Sequence, residues 1–286
     1  MSWAVVALVA IAALAHATWN LTVKRARTSG TRFLWLTFVV GAVLFAPLGI
    51  VTLAQPGVPL GTVLVLAVGS GILQLAYFVL LQRGYRLGDV SIVYPLARGT
   101  GPLLTVVFAI ILFGERPSPL GLIGAGIVIV GVVIIGLAGG RARAAHNRVG
   151  ILYGLLVGVM IAAYTLWDAN AVVSHKLPPV GYFWVSLLMQ VVVFAPAALR
   201  SPRVTLDVAR RHWFAAIVVG VLAPLAYVLI LFAFQLAPVS LVAPAREVSV
   251  VVVALGGWLF FREPHPVQRT LGSAVVLAGV ALLAVT

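Results

Sequence analysis

No cysteine occurs in this chain, which removes disulfides, zinc–thiolate sites and cysteine nucleophiles from consideration. Charge is scarce as well: 9% of the residues are charged and six are acidic, against 63% hydrophobic, with a mean hydropathy of +1.17. A soluble domain carries about 25% charged residues, so the composition excludes a soluble fold. No polar stretch in the 286 residues is long enough to form a soluble domain beside a membrane one. There is no Walker motif and hence no built-in ATPase. There is also no H-E-x-x-H or comparable metal cluster, and no G-x-S-x-G; no metal and no cofactor are expected. An integral-membrane enzyme would need a nucleophile, a base and an orienting group, which the sequence does not assemble.

What the chain does have is apolar length. Crossing a hydrocarbon core of about 30 Å takes roughly 20 residues of helix. Ten runs qualify, at about 3–23, 33–54, 61–82, 90–113, 119–139, 150–170, 181–199, 213–235, 240–261 and 268–286. Breakers such as Gln55-Pro56-Gly57, Pro178-Pro179 and Pro264-His265-Pro266 separate them. The first run has Lys24-Arg25 behind it and no basic residue before it. A cleaved signal peptide has the opposite arrangement, so this run reads as the first transmembrane helix. The formal charge of +13 would suggest nucleic acid in a soluble protein. Here the basic residues fall in short loops between apolar runs, where the positive-inside rule accounts for them, and no nucleic-acid partner is expected.

The two halves of the chain repeat. His16-Ala-Thr-Trp19-Asn20 lies over Tyr164-Thr-Leu-Trp167-Asp168, Pro95 over Pro244, Glu115 over Glu263, and Gly124 and Gly131 over Gly272 and Gly279. Leu87-Gly-Asp-Val-Ser91 lies over Leu236-Ala-Pro-Val-Ser240, and Ala76-Tyr77 close to Ala226-Tyr227. The sequence thus divides into a first repeat at 1–140, a basic connecting loop at 141–148 and a second repeat at 149–286. Five helices per repeat is an odd number, so the second repeat enters the membrane inverted. Inverted repeats mark many secondary transporters, with the substrate site at the repeat interface near the midplane. Loop charge tests the inversion independently. The loops after runs 1, 3, 5, 7 and 9 are net basic, those after runs 2, 4 and 8 are neutral, and the loop after run 6 has Lys176 alone. Equivalent loops therefore carry opposite charge bias. The positive-inside rule puts the odd loops in the cytoplasm and both termini outside. Arginine outnumbers lysine, and alanine, valine and glycine abound; this composition suggests a bacterial cytoplasmic (inner) membrane.

With Trp19-Asn20 followed by Lys24, a proline-centred run 4 ending in Phe113-Gly-Glu-Arg-Pro117, and the echo Phe261-Arg-Glu-Pro264, the chain resembles the drug/metabolite transporter superfamily and its EamA-type branch across its whole length. The resemblance implies an all-α, basket-like membrane fold in which runs 1, 3, 4, 6, 8 and 9 surround a central cavity and runs 5 and 10 sit at one edge. It further implies alternating-access transport of a small metabolite, often export, coupled to protons or to exchange. Members are often described with cytoplasmic termini, whereas the loop charges here put them outside. A passive channel and a non-transporting scaffold are the alternatives, since inverted repeats occur in channels too. The expected partners are a small-molecule substrate and the lipid bilayer, with the chain a monomer or homodimer.

The candidate site residues are charges and aromatics inside the runs. Arg98 in run 4 and Arg246-Glu247 in run 9 would each cost about 2.5–3.5 kcal/mol facing lipid. They read either as cavity-lining or as a structural ion pair between the halves. Pro95 and Pro244, three and two residues earlier, favour the cavity, because proline opens the helix ladder and frees carbonyls that need protein or water. A guanidinium in a cavity binds carboxylate or phosphate through its fork, which points to an amino acid or another anionic or zwitterionic solute. Asp168 in run 6 suits a proton carrier; the alternative is an interfacial acid paired with His175 or Lys176. His16 is either a second proton carrier or a hydrogen-bonded packing residue. Trp19, Trp167, Asn20, Tyr77, Tyr94 and Tyr227 are candidate cavity-lining groups, with packing as their alternative. Glu115 and Glu263 read as loop stabilisers, through the N-terminal amides of the helices that follow them.

Overall fold

A computed structural model describes residues 1–26, 30–137, 147–261 and 266–286. Among these residues there are helices and no strands: α1 (Trp3–Ala26), α2 (Thr31–Leu53), α3 (Leu60–Leu87), α4 (Val90–Phe113), α5 (Pro119–Leu137), α6 (Asn147–Val173), α7 (Pro179–Leu199), α8 (Pro202–Leu236), α9 (Val239–Ala245), α10 (Val248–Phe261) and α11 (Pro266–Ala284). Ten segments are long and apolar enough to cross a membrane, with α9 and α10 forming one of them. Helix is what such sequences must form in lipid, where no water is available to satisfy an open backbone. The basic connecting loop at 141–148 falls largely outside the described residues, as does Glu263.

Two departures from the sequence reading matter. Run 9 is not one helix. It breaks at Arg246–Glu247, where Glu247 N bonds Pro244 O at 2.9 Å and Val250 N bonds Glu247 O at 2.8 Å, a tightened three-residue turn. Pro244 thus precedes a helix break, whereas α4 runs unbroken through Pro95 and Pro102. Pro95 instead packs against Gly136 of α5. In addition, α8 begins eleven residues earlier than run 8, at Pro202, and kinks at His212 (φ −123°, ψ 22°).

The inversion is visible in reciprocal contacts. Trp35 Nε1 donates to Val191 O at 3.0 Å, and Trp184 Nε1 donates to Ala42 O at 2.8 Å; the same repeat offset carries one bond onto the other. Along α5 and α11, Gly124 abuts Gly279 while Gly131 abuts Gly272. The contacts run in opposite chain directions, so these two equivalent helices are antiparallel. Close approach at bare backbone replaces the hydrophobic drive that lipid cannot supply. The most extensive other contacts between the halves pair α2 with α7, α1 with α8, and α3 and α4 with α6. The largest apolar cluster lies mainly toward the even-numbered loops and continues along the α5–α11 contact. It includes Val9 and Val63, near the starts of α1 and α3, and Phe234 and Val242 on α8 and α9.

Candidate functional site

A cavity of about 440 Å³ lies between the two repeats. Its wall comes from the C-terminal halves of α1 and α3, the N-terminal parts of α2, α4, α6 and the transmembrane portion of α8, the first part of α7, and the α9–α10 break. Apart from α7, these parts lie toward the odd-numbered loops. The opposite half is the packed core, so the cavity is off-centre in the bundle.

The charged group at its wall has three members. Arg98 Nη1 lies 3.4 Å from both carboxylate oxygens of Glu247, and Arg246 Nε lies 3.6 Å from Glu247 Oε1. Glu247 is 1% exposed, and Arg98 and Arg246 are 20% and 12% exposed. The helix break is what makes this possible: it turns two successive side chains, Arg246 and Glu247, toward the same space. Arg246 also reaches Thr165 Oγ1 at 3.3 Å. Arg98 Nη2 sits 3.3 Å from His16 Nε2. A guanidinium only donates, so Nε2 is the acceptor and the ring proton sits on Nδ1. Two guanidiniums thus share the Glu247 carboxylate at the cavity wall. The Arg98 guanidinium carbon lies 5.8 Å from the Tyr94 ring centroid.

Facing this group is a chain of aromatic rings. Phe38 meets Phe78, Phe78 meets Tyr77, Tyr77 meets Tyr164, Tyr164 meets Tyr227 and Tyr227 meets Phe183, with centroids 5.1–6.1 Å apart and tilted or edge-on geometry, the favoured arrangements for such pairs. All of these rings line the cavity.

Asp168 is fully buried behind that wall. Tyr182 and Tyr227 hydroxyls each donate to its carboxylate at 2.6 Å, one to each oxygen. Its partners are these two tyrosines, not His175 or Lys176. Ser70 lies beside this group. It accepts from Gln74 Nε2 at 2.9 Å, and Gln190 Nε2 donates to Gln74 Oε1 at 3.0 Å. Gln74 and Gln190 line the cavity. Tyr227 is thus a direct link between the cavity and the hidden carboxylate.

The cavity brings together His16, Trp19, Asn20, Tyr77, Tyr94, Arg98, Tyr227, Arg246 and Glu247. It does not include Trp167. That indole lies on Gly69, where a Cβ would clash with it, and its Nε1 donates to Leu66 O at 2.8 Å; it fills the α3–α6 contact and is partly exposed on the outer surface. Its repeat equivalent Trp19 lines the cavity, so the two indoles are not placed symmetrically. Asn20 Nδ2 folds back onto His16 O at 2.7 Å. Glu115 reaches across the repeat boundary: its carboxylate accepts from Val239 N at 2.7 Å and Ser240 N at 2.9 Å. It therefore caps α9, not the helix that follows it. Sequence reasoning missed Tyr182, Gln74 and Gln190. The two glutamines were detectable as amides inside otherwise apolar runs, where polar side chains join helices.

The model of the EamA-like transporter family matches residues 3–137 and again 148–285. A protein from Pseudomonas aeruginosa named as a multidrug transporter is 32% identical over 107 residues, covering 37% of this chain and 93% of that relative. A solved structure titled only as a crystal structure of a protein superposes with a TM-score of 0.79 at 19% identity, covering 100% of this chain and 98% of the other. This last likeness speaks for the fold alone.

Proposed function

This chain belongs to the EamA-like transporter family, and from that membership we propose that it exports a small solute bearing an anionic group by alternating access through the cavity between its repeats. The observation that carries the reading is the pair of guanidiniums at the cavity wall. Arg98 and Arg246 both approach the one carboxylate of Glu247 and keep further N–H donors. A carboxylate on the substrate engages such donors through the guanidinium fork. An amino acid or another organic acid has this chemistry. Asp168 is the proton carrier of the reading, linked to the cavity through the Tyr227 hydroxyl. The membrane is the bacterial inner membrane, with the odd loops inside; on that orientation the cavity lies in the cytoplasmic half, where an exporter loads.

The printed name of the Pseudomonas relative motivates a second reading, an organic cation held by Glu247 and the aromatic rings. It draws on Glu247 Oε2 having no hydrogen-bond partner.

Counterflow in proteoliposomes separates the readings. Unlabelled carboxylates are expected to drive uptake of a labelled organic acid, and Arg246→Gln to lower it at least tenfold while the protein still inserts and melts cooperatively. Amines that compete where carboxylates do not would replace the first reading with the second. Flux linear in concentration, with no counterflow, would replace the carrier with a channel.

A further inference from the structure

The stretch ahead of the transmembrane part of α8 has no role in the cavity, yet it combines features seldom found together. Pro202–Arg211 is helical but set off by the kink at His212. Arg200, Arg203, Arg210 and Arg211 are exposed around it, with Asp207 the one acid in the stretch, paired with Arg211 at 2.9 Å. At the kink, Trp213 and Phe214 are 61% and 62% exposed, ring against ring at 5.8 Å, and Leu206 is exposed too. Water would not favour this apolar surface. The headgroup–acyl boundary does, because it accepts indole and phenyl rings at headgroup depth while arginines face the phosphates.

We propose that this elbow is a binding surface for anionic phospholipid headgroups. Phe33 stacks edge-on against His212 with centroids 6.4 Å apart, which ties the kink to the start of α2. The equivalent connection in the first repeat, Gln55-Pro56-Gly57, is an uncharged turn. The surface therefore exists on one membrane face only, and that face is the more basic one. It also touches the site: Val208 packs on the cluster of Phe33, Ala215, Ala216 and Val219 with Trp19, and Trp19 and Val219 line the cavity. A bound headgroup holds the elbow against the cavity rim. The proposal does not depend on which solute is carried.

Native mass spectrometry of the detergent-solubilised protein, titrated with phosphatidylglycerol and separately with phosphatidylcholine, tests it. An arginine near an anionic leaflet contributes roughly fivefold in affinity. Combined Arg203→Gln, Arg210→Gln and Arg211→Gln should lower phosphatidylglycerol affinity at least tenfold and leave phosphatidylcholine unchanged. These side chains are exposed, so the variant keeps its fold, and Arg210→Gln alone gives a smaller loss of the same sign. The control Arg83→Gln with Arg86→Gln, exposed at the C-terminal end of α3, should keep the preference. Equal loss in the control would reduce the elbow to diffuse loop charge and overturn the proposal. So would displacement of the lipid by excess inorganic phosphate, which would mark a site for a soluble anion.

Discussion

At the scale of single residues, the informative positions are those where the repeats differ. Asn20 bonds its own helix, while Asp168, at the equivalent place, bonds two other helices through Tyr182 and Tyr227. Hydrogen bonds to a charged group are worth about 1.5–3 kcal/mol each, and the Asp168 carboxylate that accepts them is buried. Tyr227→Phe is therefore expected to destabilise the protein by about 2 kcal/mol, read as a lower melting temperature in detergent. Asp168→Asn should keep substrate exchange but lose the response of transport to a pH gradient. An unchanged response would remove Asp168 from the coupling. The sequence named Asp168 and Tyr227, but as unrelated candidates. Their contact needs α6 and α8 to meet at one height and rotation, which neither run specifies on its own.

Among the elements, α5 and α11 show how closely helix packing constrains composition. A Cβ at Gly131 would lie 2.7 Å from Val276 N and 2.9 Å from Gly272 O, both backbone atoms. Backbone cannot move aside as a side chain can. At Gly126, on the same helix, nothing lies within 4 Å. Gly131→Ala is therefore expected to cost about 1–3 kcal/mol through overpacking, and Gly126→Ala to be neutral or slightly stabilising through helix propensity. Thermal melting of the two variants side by side checks this, and equal melting temperatures would contradict the packing. The sequence paired Gly124 and Gly131 with Gly272 and Gly279 across the repeats; which glycines meet backbone depends on the neighbour's register. The Glu115 carboxylate belongs to the same scale. It holds the first amides of α9 with charge-assisted bonds at the positive end of the helix. Its acid was legible, but the helix it caps was assigned to the wrong repeat, because capping was argued from sequence neighbours.

For the whole molecule, inversion is the organising fact. Reciprocal tryptophan bonds at Trp35 and Trp184 and antiparallel glycine contacts between α5 and α11 both require it. It was legible because charge bias and helix parity are both read along the chain. Absolute orientation rests on the loop charges. A reporter fused after Thr286 is expected to be active on the outer side; cytoplasmic activity would reverse the orientation and put the cavity in the outer half. The absence of cysteine allows single thiols to be introduced for the same purpose.

The sequence by itself determined the ten spans, the two inverted repeats and the family, because apolar length, charge bias and repeat spacing are properties of the chain in order. It also supplied the set of expensive residues, since a charge inside an apolar run stands out wherever it points. The tertiary structure decided what these residues do together. Spans that are apolar on every side do not specify which face turns inward. Only packing put Trp19 in the cavity and Trp167 outside it, joined Asp168 to two tyrosines, and turned Arg246 and Glu247 at a helix break to meet Arg98 from the other half.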